Sequence, residues 1–169
     1  QHIAQLDDVA KLPGYEDVSD DLIDAVLEEG GKLSSDVWAT CNEAGDQQGS
    51  VLNGKNVKTP DGYKNAYTQF AQGGWGGIAC PPEFDGQGLP WVLSMAMNEM
   101  WQSANLALSL CPLLTQAAIE AILKHGSEDL QQTYLKKLIS GEWTGTMNLT
   151  EPQAGTDLAA IKTVATKDD

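Results

Sequence analysis

The stretch "SEDLQQTYLKKLISGEWTGTMNLTEPQAGTD", Ser127 to Asp157, changes character half-way. Its first half reads as a helix. Ser127 can cap it, Glu128 and Asp129 sit in the first turn, Lys136 and Lys137 in the last, and Gly141 ends it, as the helix dipole and terminal amides prefer. From Glu142 the run "WTGTMNLT" favours a strand, and "IKTVATK" offers a second after a Thr-Glu-Pro turn. The reading is therefore an all-α domain over 1–143 followed by the start of a β-domain over 144–169. Two strands make no stable sheet alone. Since the chain also begins with Gln, it is expected to be a fragment of a longer protein.

Upstream of the switch, every sizeable element reads as helical. "SDDLIDAVLEEGGKLSSDVWATCNEAGD" opens with Ser19 or Asp20 as N-cap, and Leu22, Val26, Leu33, Val37 and Cys41 recur on one face. The Gly30-Gly31 pair weakens that helix by roughly 2 kcal/mol relative to alanines, so close packing against a neighbour is expected there. A Gly, Asn and Pro-rich loop follows, with a hairpin signal at Asn53-Gly54. "YKNAYTQFAQ" is a short helix with Tyr63, Ala66, Tyr67 and Phe70 on one side. "GGWGGIACPPEFDGQGLP" lacks the GxxxxGK[ST] pattern and reads as structural turns packed by Trp75 and Phe84. Pro90 opens "WVLSMAMNEMWQSA", and "NLALSLCPLLTQAAIEAILKHG" is a long apolar helix in which Pro112 marks a kink or break.

Composition narrows the classes. Hydrophobic residues make up 41% of the 169, with five Trp and four Tyr, which is enough for a packed core. The net charge of -14, with ten basic against 24 acidic residues, argues against nucleic acid. Cys41, Cys80 and Cys111 form no CxxC and read as small buried hydrophobes. His2 and His125 stand far apart with no Cys near either, so no metal site is expected. Residues 1–11 do not read as a signal peptide, so a cytoplasmic protein is expected. Polar residues interrupt the apolar run after Leu106, which reads as a buried helix rather than a bilayer span.

Three motifs, in order, resemble the acyl-CoA dehydrogenase family. "GEWTGTMNLTEPQAGTDLAAIKT" looks like its flavin-binding signature, at the junction of an N-terminal helical domain with a middle β-domain. "GWGGIACPPEFDGQGLP" resembles its P-x-x-x-G-G-x-G loop, with Asp85 breaking the usual glycine pair, and "HGSEDLQQTYLKKLISGEW" resembles its G-[ST]-x-x-Q-[KR]-x-x-[YW]-L-P-x-L-x-x-G hallmark, with Leu130 at the Gln position. The wording, with the extra loop between Gln47 and Gly62, is similar to a subgroup of large bacterial members.

The resemblance implies α,β-dehydrogenation of an acyl-CoA thioester: a carboxylate removes the α-proton while the β-hydrogen leaves as hydride to N5 of FAD. It implies Met147, Leu149 and Thr150 beside the isoalloxazine and Gly155 and Thr156 beside the pyrophosphate. Met147 stands where several members carry an aromatic residue, and Thr156 where most carry Ser. It also implies an acyl wall within Leu106 to Leu114, an electron-transfer flavoprotein or similar acceptor, and a homo-oligomer at full length. Glu99, Glu120, Glu142 and Glu151 are not taken as the base, which the family places in a C-terminal helical domain; no catalytic residue is assigned here, and Glu151 is read as supporting its turn. The rival readings are an acyl-CoA oxidase or flavin monooxygenase on the same fold, and a non-enzymatic helical interaction domain.

Overall fold

The computed structural model describes residues 6–167, so His2 lies outside it. Helices α1 (Leu6–Val9), α2 (Asp20–Leu33) and α3 (Asn42–Gln48) precede a hairpin of β1 (Val51–Asn53) and β2 (Asn56–Lys58). Helices α4 (Tyr63–Gln72), α5 (Trp91–Ala104), α6 (Leu106–His125) and α7 (Glu128–Ile139) follow. The architecture is the mostly helical one expected.

Helix α2 begins as read, with Leu22 N donating to Ser19 Oγ at 3.2 Å. It does not run on to Asp46 as one regular helix. A π-helical turn over Ser34–Trp38 and a 3-10 turn over Ala39–Cys41 separate it from α3. A wide turn advances the buried face by about one residue. Trp38 and Cys41 are consequently buried while Val37 is only partly so, and Leu22 at the helix start is exposed. Of the glycine pair, Gly30 meets a close neighbour: a Cβ there would lie 1.6 Å from Met97 Cε on α5, whereas Gly31 faces open space.

The main core gathers Leu33, Trp38, Phe70, Ile78, Met97, Trp101 and Leu108 from α2, the π turn, α4, the glycine-rich loop, α5 and α6. Its centre is aromatic. Phe70 stands edge-on to Trp101 at 4.9 Å between centroids, and Trp38 lies 5.6 Å from Phe70 and 5.9 Å from Trp101. A second cluster joins Cys80, Phe84, Ile119, Leu135, Leu138 and Ile139 between the loop, α6 and α7.

The glycine-rich loop turns its amides on its own carbonyls: Gln87 N donates to Gly77 O at 2.8 Å, Gly88 N to Cys80 O at 2.9 Å and Leu89 N to Ile78 O at 2.8 Å. Those amides are spent on the turn. Within it Asp85 takes φ 66°, a left-handed conformation that costs a side-chain-bearing residue about 1 kcal/mol, and its carboxylate lies 3.1 Å from Lys136 Nζ on α7. Asp85→Gly is expected to be about 1 kcal/mol more stable than Asp85→Ala, because both lose the exposed ion pair and only alanine retains the strain. Chemical denaturation of the two variants measures that difference.

The hairpin pairs Leu52 with Val57 and Asn53 with Asn56, and Gly54 turns at φ 63°. This is the hairpin signalled by Asn53-Gly54, and all six strand residues are exposed. Helix α6 differs more from expectation. Pro112 lies inside it without ending it, and Leu108, Ser109, Thr115 and Ile119 are buried, but Leu106, Leu110 and Leu113 are exposed. By length and composition alone it is apolar enough to cross a membrane. It packs on α5 and α7 through one face and leaves an apolar face uncovered. Cys41 and Cys80 are buried, Cys111 is half-buried, and none forms a disulfide. Burial pushes all three thiols up, away from the reactive thiolate.

Candidate functional site

Thr144 to Thr150 and Ile161 to Lys167 run without helix or ladder. These stretches carry strand-forming residues, but a strand needs neighbours to exchange backbone hydrogen bonds with. Here the described residues offer only an isolated bridge between Glu151 and Ala154.

The segment is nonetheless anchored to the helices where it begins. Trp143 N donates to Lys137 O at 2.9 Å, and the indole lies 5.8 Å from the Tyr134 ring with Lys137 Nζ 4.2 Å over it. Gly145 N donates to Thr115 Oγ1 on α6 at 3.1 Å. The chain passes close to the helix at that point, because a Cβ on Gly145 would lie 2.6 Å from Ala118 Cβ. Beyond Gly145 the chain is exposed, and Met147 and Leu149, two residues apart, are respectively 56% and 42% accessible. Among the described residues, Thr146 to Thr150 make no backbone hydrogen bond, so their amides and carbonyls remain available.

At Glu151 the chain closes into a lobe. Glu151 N donates to Ala154 O at 3.2 Å and Ala154 N to Glu151 O at 3.0 Å. The Glu151 carboxylate accepts from Lys162 N at 3.0 Å, Thr163 N at 2.9 Å, the Thr163 hydroxyl and the Gln153 amide. Asp157 Oδ1 accepts from Ala159 N at 3.1 Å and caps the short turn Leu158–Ala160. Ala154 is fully buried, while Gly155 and Thr156 at the crest are exposed, and a Cβ built on Gly155 meets nothing within 4 Å. Neither a close neighbour nor a positive φ calls for a glycine here, and the approach to its backbone is open.

These donors hold the Glu151 carboxyl at about 2, the Thr163 hydroxyl contributing most and the Lys162 and Thr163 amides next. A depressed carboxyl stabilises the fold above its ordinary pKa and loses that contribution as pH falls toward 2, so the lobe is fully tied at neutral pH. A carboxylate so committed is a poor proton acceptor. The other declined glutamates are placed as follows: Glu99 is exposed on α5, Glu120 lies 3.3 Å from Lys124 and Glu142 3.6 Å from Lys137.

A groove of about 230 Å³ lies between α5 and α6, lined by Trp91, Met95, Asn98 and Gln102 from one helix and Leu113, Gln116, Ala117 and Glu120 from the other. Of the proposed acyl wall, only Leu113 lines it. The α5 residues were missed in the sequence, although their spacing of four, three and four marks one face of a helix. The five sequence-derived residues occupy consecutive parts of one segment, Met147, Leu149 and Thr150 before the Glu151 turn and Gly155 and Thr156 after it. Uncovered apolar side chains, free backbone groups and an open glycine amide fit a flat ring with a polar edge followed by an anion.

A helical layer feeding one exposed segment of this kind is the N-terminal fold of a known class of enzymes. The profile of the acyl-CoA dehydrogenase N-terminal domain matches residues 54–142, and the chain belongs to that family. It is similar to 3-methylmercaptopropionyl-CoA dehydrogenase of Ruegeria pomeroyi, 42% identical over 169 residues, covering 100% of this chain and 29% of that protein. The chain thus spans less than a third of that relative's length. Glutaryl-coenzyme A dehydrogenase, solved in complex with glutaryl-CoA, shares the fold at a TM-score of 0.72 and 24% identity, over 85% of this chain and 34% of its own. The FAD complex of PigA does so at 0.65 and 20%, over 83% and 34%.

Proposed function

We propose that this chain supplies the helical wall of the active site of an FAD-dependent acyl-CoA dehydrogenase. The observation that carries the reading is the path of residues 145–156, which leaves α6 at Gly145, uncovers Met147 and Leu149, and reaches the open approach to Gly155. Residues 1–143 form the helical domain and 144–169 begin a β-domain whose further strands would pair with the free backbone of Thr146 to Thr150.

FAD, when bound, supplies acceptance of the hydride from the β-carbon of the acyl thioester. Met147 and Leu149 offer apolar surface to its ring, and Thr150 offers a hydroxyl and backbone groups to the ring's polar edge. The Gly155 amide and Thr156 hydroxyl hold the pyrophosphate. The groove between α5 and α6 receives the acyl chain against Trp91, Met95 and Leu113. The family places its base in a C-terminal helical domain and none of the four glutamates considered replaces it, so the 169 residues alone are expected not to turn over. At full length the protein is a homo-oligomer passing electrons to an electron-transfer flavoprotein or similar acceptor.

The full-length protein is expected to purify yellow and to bleach a dye acceptor when given an acyl-CoA. A colourless preparation that takes up no FAD would remove this reading.

A further inference from the structure

The Glu151 carboxylate gathers most of the side-chain bonds that tie the two ends of the lobe together, with Gln153 adding one to Ala160 O at 3.4 Å. Glu151 sits at the entrance and accepts from residues eleven and twelve positions along the chain, while its own backbone closes the Glu151–Ala154 bridge. Gly155 and Thr156 lie on the stretch so enclosed and, among the described residues, make no hydrogen bond to the helices. Ordering such a stretch costs about 1 to 2 kcal/mol of backbone entropy per residue, which the local bonds of Gln153 to Ala160 O and of Ala159 N to Asp157 offset only in part.

Charge sharpens the point. A carboxylate on a lobe that is to hold a pyrophosphate raises the local negative potential, which works against binding. Glutamate at that place is explained by what it organises: two backbone amides, a hydroxyl and a side-chain amide all point at it, and all four prefer an ionised acceptor.

We propose that Glu151 is a positioning residue for the cofactor, fixing Gly155 and Thr156 in the shape that receives the pyrophosphate by clamping Lys162 and Thr163 to the start of the lobe. This rests on the flavin reading above. Glu151 does not touch the ligand; it removes the ordering cost that binding would otherwise carry.

The test uses the full-length protein, stripped of flavin and titrated with FAD and separately with riboflavin, which lacks the pyrophosphate. Glu151→Ala is expected to weaken FAD binding about tenfold or more, the loss of charge-assisted hydrogen bonds. Riboflavin affinity should be unchanged, and hydrogen exchange at the Lys162 and Thr163 amides should quicken. Thr163→Val, which removes one donor, should give a smaller FAD loss in a protein that folds normally, and keeps the test available if Glu151→Ala does not fold. Variants that lose the amide protection yet bind FAD as tightly as the parent would overturn the proposal alone. A parent protein that binds no FAD would overturn the flavin reading and this assignment with it. An equal loss for FAD and riboflavin would also overturn it, because the defect would then not be one of pyrophosphate positioning.

Discussion

Trp38→Ala is expected to destabilise the fold by about 4 kcal/mol, read as a fall in the denaturation midpoint. Trp38 is fully buried, packs on Phe70 and Trp101, and sits on the π-helical turn that joins α2 to the rest of the core. Truncation removes the largest side chain from an aromatic centre that cannot close over the gap, because Phe70 and Trp101 are fixed edge-on to each other. Trp38→Phe separates volume from polarity. The indole Nε1 is buried and finds no acceptor among the described residues, so phenylalanine loses no hydrogen bond and part of the packing. Its cost should stay below about 1.5 kcal/mol. A phenylalanine variant as damaged as the alanine one would mean that the indole has a role beyond filling space.

Asn105→Ala should cost about 3 kcal/mol, a large loss for a residue that is not hydrophobic. Its side chain is almost wholly buried. Oδ1 accepts from Leu108 N at 3.0 Å, capping α6, and from the Tyr63 hydroxyl at 3.2 Å. Nδ2 donates to Trp38 O at 3.3 Å, meeting a carbonyl of the π turn, and to Cys41 Sγ at 3.6 Å. Alanine leaves these buried groups unsatisfied, and each is costly without water. Asn105→Asp keeps the cap and loses the donor, so it should fall between the parent and alanine. Thermal unfolding of the three proteins at neutral pH would establish the order, and an aspartate variant as stable as the parent would contradict the role given to Nδ2.

How far these features could be read without coordinates depended on whether they were local. Helix ends were legible, since Ser19 and Ser127 do cap α2 and α7 through their own hydroxyls. So was the hairpin, whose turn chemistry lies within adjacent residues. Asn105 went unremarked as a cap even though an Asn before an apolar run is a known start signal, and its further bonds to Trp38 and Cys41 span more than sixty positions. The π turn was invisible, because its wide spacing is favoured only once Trp38 has a core to enter and Asn105 to meet its carbonyl. In the candidate site, the segment from Met147 to Thr156 was singled out by its motif, whereas the α5 side of the groove came only from the packing of two helices.

By itself the sequence therefore determined where most helices lie, the Ser19 and Ser127 caps, the switch of pattern at Glu142 and the family, all of which are written in near neighbours and ordered motifs. Only the tertiary structure decided which face of each helix is covered, that Gly30 rather than Gly31 receives Met97, and that Glu151 closes a lobe around Gly155 and Thr156. The physical reason is distance along the chain: capping and turn geometry act within four or five residues, while burial and carboxylate clamping depend on partners that only folding brings together.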